Sequence, residues 1–222
     1  MTESDTDSTP NCEQLRIRPA EGEQDAYYLA RQQHHYFGTA NDWPEKLPLN
    51  YLPIAGQSIP DDSEDDIPLD VYGVIAEHAP SETSHSVRIG GGVVLIYDQE
   101  SAVDTLPPID GFPYAIVCDV NAFLLFTVVD PAWRGQGIGR KLLLDRLHWI
   151  NSTNAEMIFT CGWERDSNQS SRPLLSDSGF VEKQTIDGFY SDRGRPSCPD
   201  CGAWPSNDKM CQCRTTVWIK YL

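Results

Sequence analysis

The chain has 222 residues, of which 40% are hydrophobic and 10% aromatic, so it is long and apolar enough to bury a core. Its net charge of −16 disfavours binding to nucleic acid or to an anionic membrane surface at ordinary salt. No apolar run approaches the roughly 20 residues of a membrane-spanning helix, and the first residues lack the basic start and apolar centre of a signal peptide. We therefore predict a cytoplasmic protein whose residues 1–13 form a disordered acidic tail.

The acidic residues are spread along the whole chain, and two interpretations of the charge stay open. An acidic surface attracts a cationic substrate such as an amine. It also keeps a protein soluble at high salt, as in halophilic proteins. Because the acids are not confined to one segment, the sequence favours the halophilic interpretation.

Strand and helix patterns alternate through the first half of the chain. Residues 15–19 alternate apolar with charged side chains and end at a proline, which predicts a short strand. Residues 21–37 begin with acids and contain no late glycine, which predicts a helix. Residues 40–70 are rich in proline and acid, as loops are, and residues 71–76 and 87–97 then predict an antiparallel hairpin.

The most apolar run follows this hairpin. Residues 123–129 are apolar on both faces, which predicts a central strand that ends at Asp130-Pro131. A glycine-rich segment leads into apolar residues at helical spacing up to Ile150, and residues 157–161 predict a second buried strand. The glycines therefore lie at a strand–turn–helix junction within a βαβ unit.

This junction predicts a phosphate site, because a helix N-terminus presents unpaired N–H groups and partial positive charge. A Walker A loop needs Lys and then Ser or Thr after its last glycine, whereas Gly139 is followed by Arg140-Lys141-Leu142. A dinucleotide fingerprint needs G-x-G-x-x-G, whereas Gly135, Gly137 and Gly139 are evenly spaced. Dinucleotide binding stays an alternative, because Glu164 follows the next strand as a ribose-binding acid does.

A third pattern fits better. The spacing R-x-x-G-x-G at Arg134, Gly137 and Gly139 resembles the acyl-CoA-binding signature of the GNAT N-acetyltransferase superfamily. A second pattern of that superfamily, N-x-x-A-x-x-L-Y-x-x-x-G-F, is similar to the residues after the next strand. These residues are Asn168, Ser171, Leu174, Leu175, Gly179 and Phe180.

The resemblance implies a single α/β (α+β) domain of the GNAT fold over residues 14–222. Its mixed, mostly antiparallel central sheet would be splayed between the central strand and the next one and flanked by helices. The implied activity is an acetyl-CoA-dependent N-acetyltransferase acting by direct attack in a ternary complex. The acceptor would be a primary amine of a protein N-terminus, a lysine or a small molecule; the oligomeric state stays open.

The resemblance also implies which residues hold acetyl-CoA. Main-chain groups of the central strand would bind pantetheine, and the glycine loop would bind the pyrophosphate. An asparagine after the next strand would lie beside the CoA arm. These residues are Thr127, Val128 and Val129 in the strand, Arg134, Gly135, Gln136, Gly137, Ile138, Gly139 and Arg140 in the loop, and Asn168.

The sequence departs from the superfamily pattern at the proton donor and offers several candidates for the general base. The superfamily's proton-donating tyrosine is replaced by Leu175, which cannot donate a proton. This departure leaves a non-catalytic acyl-CoA-binding sensor as an alternative function. Attack requires loss of a proton from the amine, and the candidate general bases are Glu164, Asp119 and Asp166.

Four cysteines cluster near the C-terminus. Cys198, Cys201, Cys211 and Cys213 can supply a tetrahedral, structural Cys₄ zinc site within a zinc-knuckle-like insertion over residues 195–214. The alternatives are reduced free thiols or a zinc-dependent interaction protein. We expect the insertion to lie at a hairpin tip between the last two strands, the first of them at Phe189-Tyr190.

Overall fold

The computed structural model describes residues 14–37, 68–80, 85–107, 109, 117–164, 170–188 and 213–222. The predicted acidic tail and most of the cysteine cluster lie outside these residues. None of the described helices combines the length and apolar character that a membrane crossing requires. The strands are β1 (Leu15–Pro19), β2 (Asp70–His78), β3 (Val87–Asp98), β4 (Val120–Val129), β5 (Met157–Glu164), β6 (Val181–Asp187) and β7 (Arg214–Tyr221). The helices are α1 (Gly22–Phe37), α2 (Gln99–Thr105), α3 (Ile138–Ile150) and α4 (Arg172–Asp177), and a 3-10 turn covers Pro131–Trp133.

The strands form one seven-stranded sheet in the order β1-β2-β3-β4-β5-β7-β6. All neighbouring pairs are antiparallel except β4 and β5, which are parallel and joined by α3. The predicted fold class, a mixed and mostly antiparallel sheet flanked by helices, is confirmed. A parallel pair needs a crossover connection, and α3 supplies it after the glycine loop.

The helices cover both faces of the sheet. Helices α1 and α2 pack on one face, where Leu29 and Ala102 join the larger apolar core. Helices α3 and α4 pack on the other face, where Leu143 and Leu175 join a second core. Because both faces of β4 are buried, its sequence is apolar almost throughout, as expected for a central strand.

Strand β4 contains a β-bulge beside its neighbour β3. Val93 pairs with Phe126 and Val94 pairs with Leu124, so Leu125 is an extra residue on the β4 side. The three glycines of β3 lie near this bulge and allow close packing. A Cβ at Gly91 would lie 2.5 Å from a methyl carbon of Leu29 on α1 and 2.9 Å from the Val74 carbonyl, so any larger residue would force these groups to shift. Bulges of this kind bend a strand and are over-represented next to active sites.

Two elements differ from the sequence-based expectation. Helix α2 follows β3 directly, begun by the Asp98 carboxylate, which accepts a hydrogen bond from the Ser101 N–H at 2.9 Å. Strand β6 ends at Asp187, before the predicted strand at Phe189-Tyr190, which lies outside the described residues. Its mostly polar side chains are typical of an exposed edge strand, which gives little periodic signal.

Candidate active site

The central parallel pair comes apart after three residues. Strands β4 and β5 pair only where Asn121–Phe123 meet Met157–Phe159. At the next position the Thr160 hydroxyl donates to the Leu124 carbonyl at 2.8 Å, so a side chain replaces the ladder bond. Beyond this point the two strands diverge, and the main chain of β4 faces an opening in place of a neighbour. The predicted splay is therefore present.

A cleft of about 460 Å³ occupies this opening. Its walls come from β4, the glycine loop, β5 and the start of α4, and the end of α1 closes one side. The structure brings most of the predicted CoA-binding residues together here. Those that line the cleft are Thr127, Val128, Val129, Arg134, Gly135, Gly137, Ile138 and Gly139. Gln136 and Arg140 belong to the same loop and first helical turn without lining the cleft, and Asn168 lies outside the described residues.

The glycine loop presents a helix N-terminus to the cleft. Gly135 and Gly137 have φ angles of +77° and +76°, which L-residues rarely adopt, so glycine is required for the turn. Gly137 caps the 13-residue helix α3, whose first turn contains no acidic residue. The first N–H groups of a helix have no intrahelical partner, and here they carry the positive end of a full-length helix dipole. This arrangement suits a phosphate group.

Arg134 ties this loop to the rest of the site. Its Nε donates to the Val129 carbonyl at 2.8 Å, and its guanidinium lies 5.4 Å from the ring centroid of Tyr36 on α1. The side chain therefore joins the end of β4 to α1 while its charge remains beside the loop. Sequence analysis missed Tyr36 and Phe37 as lining residues, because nothing in their spacing indicates that the end of α1 reaches the cleft.

Leu175 lines the cleft from α4 and is 6% exposed. The position where the superfamily pattern has tyrosine is therefore at the site and supplies no proton donor. The nearby Thr160 hydroxyl already directs its proton to the Leu124 carbonyl. A thiolate leaving from this cleft thus has no acid at the expected position.

The environment of Glu164 argues against the first candidate for the general base. Its carboxylate accepts a hydrogen bond from the Thr216 hydroxyl at 2.7 Å and pairs with Arg172, and Arg214 lies 3.6 Å away. The Thr216 hydrogen bond and the two arginines lower the pKa of Glu164, against the opposing effect of burial. A carboxylate held ionised in this way is a weak proton acceptor. We interpret Glu164 as an anchor between β5, α4 and β7.

Of the other two candidate bases, the structure describes only Asp119, which does not line the cleft. Asp119 is exposed and precedes β4, at the end of the strand opposite to the glycine loop. Asp166 lies outside the described residues. Cys161 lines the cleft as a half-buried residue of β5.

The predicted zinc site cannot be assembled from the described residues, which contain no cluster of His, Cys, Asp or Glu suited to a metal. Cys213 is buried directly before β7. Its predicted partners Cys198, Cys201 and Cys211 lie outside the described residues. The zinc site therefore stays a prediction.

The sequence model of the acetyltransferase (GNAT) family matches residues 89–180, which run from β3 through α4 and include all of β4, the glycine loop and β5. No curated protein sequence matches the chain. Among solved structures, the chain is similar to NAA60 of Arabidopsis thaliana in complex with a bisubstrate analogue. That match has a TM-score of 0.59 and 14% identity and covers 93% of this chain and 97% of that chain.

Two further structures give comparable matches. The same Arabidopsis thaliana protein in complex with acetyl-CoA has a TM-score of 0.57 and 15% identity, with 94% of this chain and 99% of that chain covered. Arabidopsis thaliana Naa50 in complex with the bisubstrate analogue CoA-Ac-MVNAL has a TM-score of 0.54 and 14% identity, with the same coverage. At these identities the structures show a shared fold, and the family match falls on the segments that build the cleft. Residues 89–180 therefore match the sequence pattern of an acetyltransferase (GNAT) domain, and the chain shares the fold of these solved structures; the two findings together support an acyltransferase.

Proposed function

We propose that this protein transfers an acetyl group from acetyl-CoA to a primary amine within a ternary complex. The observation that carries the proposal is the parting of β4 and β5 directly beside a glycine loop at a helix N-terminus. The loop would hold the CoA pyrophosphate, and the opened strand edge would bind the pantetheine arm. The solved neighbours in complex with acetyl-CoA and with a bisubstrate analogue support the same assignment.

In the proposed reaction the neutral amine nitrogen attacks the thioester carbonyl and the new N–C bond forms. The C–S bond breaks with its electron pair on sulfur, and the one proton that the nitrogen loses passes to water. Main-chain groups along the unpaired part of β4 would polarise the carbonyl. The fold's contribution is mainly to hold the two reactants together, which is worth several kcal/mol. With Leu175 in the cleft, the CoA sulfur leaves as a thiolate.

The class of acceptor amine can be inferred from how its nitrogen loses a proton. None of the described residues that line the cleft is an Asp or a Glu. An amine that is already neutral reacts without help from such a base. A peptide α-amine has a pKa of about 7.7–8.0 and is at least about half neutral at pH 8, whereas lysine, at about 10.4, is almost fully protonated. We therefore propose a peptide or protein N-terminus as the acceptor, in line with the peptide-bearing analogue bound by Naa50.

The test is the release of free CoA thiol from acetyl-CoA in the presence of peptides with a free N-terminus. Matched peptides with a blocked N-terminus and one internal lysine serve as controls. We expect thiol release with the first set at pH 8 and much slower release with the second. Thiol release with lysine alone would reject the N-terminal acceptor. Binding of CoA without thiol release for any amine would instead support the acyl-CoA-binding sensor.

A further inference from the structure

Helix α3 buries an arginine against the sheet. Arg146 is 0% exposed and shares the inner face of α3 with Leu142 and Ile150, four residues away on either side. Within the described part of the chain it forms no ion pair with a carboxylate. Burying a charge without a counter-ion costs several kcal/mol, so packing alone does not account for arginine at this position.

The guanidinium is held by acceptors at the β-bulge. Its Nη1 donates to the Phe126 carbonyl at 2.9 Å and to the Val93 carbonyl at 3.3 Å, and its Nε donates to the Leu142 carbonyl at 3.1 Å. Gly92 leaves the space that the group needs, because a Cβ there would lie 2.9 Å from both Cζ and Nη1. Strand β3 thus supplies space and a carbonyl acceptor for this side chain, and helix α3 supplies a second carbonyl acceptor.

Arg146 keeps its charge in this environment. Burial lowers the pKa of Arg146 to about 10, with the nearby Asp145 and Tyr72 opposing the shift. A group with that pKa is protonated throughout the neutral range. A permanent positive charge therefore lies beneath β4, next to the cleft.

The remaining contact of Arg146 reaches the cleft itself. Its Nη2 donates to the hydroxyl oxygen of Thr127, an exposed residue that lines the opening. A guanidinium has only donors, so the Thr127 oxygen must act as acceptor and its own proton points elsewhere. No acceptor among the described residues is hydrogen-bonded to that proton. The charge behind the hydroxyl also strengthens it as a donor.

We propose that Arg146 is a positioning residue that makes the Thr127 hydroxyl a dedicated hydrogen-bond donor to an amide carbonyl of the pantetheine arm of CoA. The inference rests on the proposed function. Thr127 lies between Phe123, where the β4–β5 ladder ends, and the glycine loop. An arm that connects a pyrophosphate at the loop to a thioester at the splay passes this residue, and the arm carries two amide carbonyls.

The experiment compares CoA with adenosine 3′,5′-bisphosphate by titration calorimetry. The bisphosphate keeps the 3′-phosphoadenosine and one 5′-phosphate of CoA and lacks the other phosphate and the arm. Thr127→Val removes the hydroxyl at nearly constant shape and suits a strand. We expect it to weaken CoA binding about tenfold and to change binding of the bisphosphate by less than about twofold. In turnover, KM for acetyl-CoA should rise while kcat holds. Thr127→Ser, which restores the hydroxyl, should recover most of the lost affinity.

Arg146→Met tests the link between the two residues, because a buried charge can be replaced by an apolar side chain of similar volume without large loss of stability. If Arg146 acts through Thr127, the double variant binds CoA no more weakly than Thr127→Val alone. Additive losses would overturn the positioning role. Unchanged CoA affinity in Thr127→Val, or equal weakening of CoA and the bisphosphate, would overturn the arm contact. A wild-type protein that binds neither probe would refute the proposed function, and this inference would fail with it.

Discussion

Replacing Gly137 with aspartate and, separately, with asparagine isolates the charge at the glycine loop. The residue has φ +76° and caps α3, and an added Cβ would meet no atom within 4 Å. Both substitutions therefore carry the same backbone strain, about 1–2 kcal/mol, and both residues tolerate this conformation better than most. Because the two side chains have the same shape, any difference in ligand binding between the variants reports the negative charge.

The expected difference follows from the position of Gly137. It is exposed at the N-terminus of a helix whose first turn holds no acid. Two unit charges about 5 Å apart repel by roughly 1 kcal/mol in water and about 3 kcal/mol at an effective dielectric constant near 20. We expect Gly137→Asp to bind CoA at least about tenfold more weakly than Gly137→Asn, which is about 1.4 kcal/mol.

The stability of the two variants should show the opposite order. A carboxylate at an N-cap interacts favourably with the helix dipole, so Gly137→Asp should melt no lower than Gly137→Asn without ligand. Titration calorimetry with CoA gives the affinities, and thermal melts of the free protein give the stabilities. The affinity gap should narrow in high salt, because the site is exposed. Equal CoA affinities for the two variants at low salt would refute an anion at this loop.

Three further predictions test other parts of the molecule. Glu164→Gln should keep kcat within about tenfold and leave the pH–rate profile unshifted, since a general base contributes about 10²–10⁴-fold; a loss beyond a hundredfold would restore Glu164 as the base. The melting temperature should rise from low salt to molar KCl, because screening relieves repulsion in a chain of net charge −16; a flat or falling value would favour a cationic substrate instead. Elemental analysis of protein purified without chelator should find one zinc per chain, held by Cys198, Cys201, Cys211 and Cys213; well under half an equivalent, with freely titratable thiols, would reject the site.

Strong local signals made most of the fold predictable from the sequence. The apolar run of β4, the glycines at the turn and the helical spacing of α3 each indicate the same βαβ unit, and the structure has all three. Helix α2 and strand β6 were missed because both are short and polar. In α2 the start signal was present, since Asp98 precedes the helix as a capping residue, but the helix has only seven residues.

Within the cleft, the loop glycines were predictable from the sequence and the roles of the side chains were not. The loop glycines could be assigned because positive φ angles at the start of a helix favour glycine, which is visible in the sequence. The roles of side chains could not, because they depend on contacts between residues far apart in the chain. Glu164 looked like a free carboxylate after a strand, and only the packed structure brings it against Arg172 and Thr216.

Arg146 shows how a departure from a periodic pattern carries information about function. The spacing of Leu142, Arg146 and Ile150 puts a charge in the middle of an apolar helix face, which sequence analysis treats as noise. A charge buried there costs stability, so it persists only where surrounding groups are arranged to hold it. Here Gly92 provides the space, carbonyls at the bulge accept two hydrogen bonds, and Nη2 donates to Thr127 at the cleft. The cleft thus has an apolar Leu175 at the position of the expected tyrosine, while β4 presents to it a Thr127 hydroxyl that is backed by a buried guanidinium.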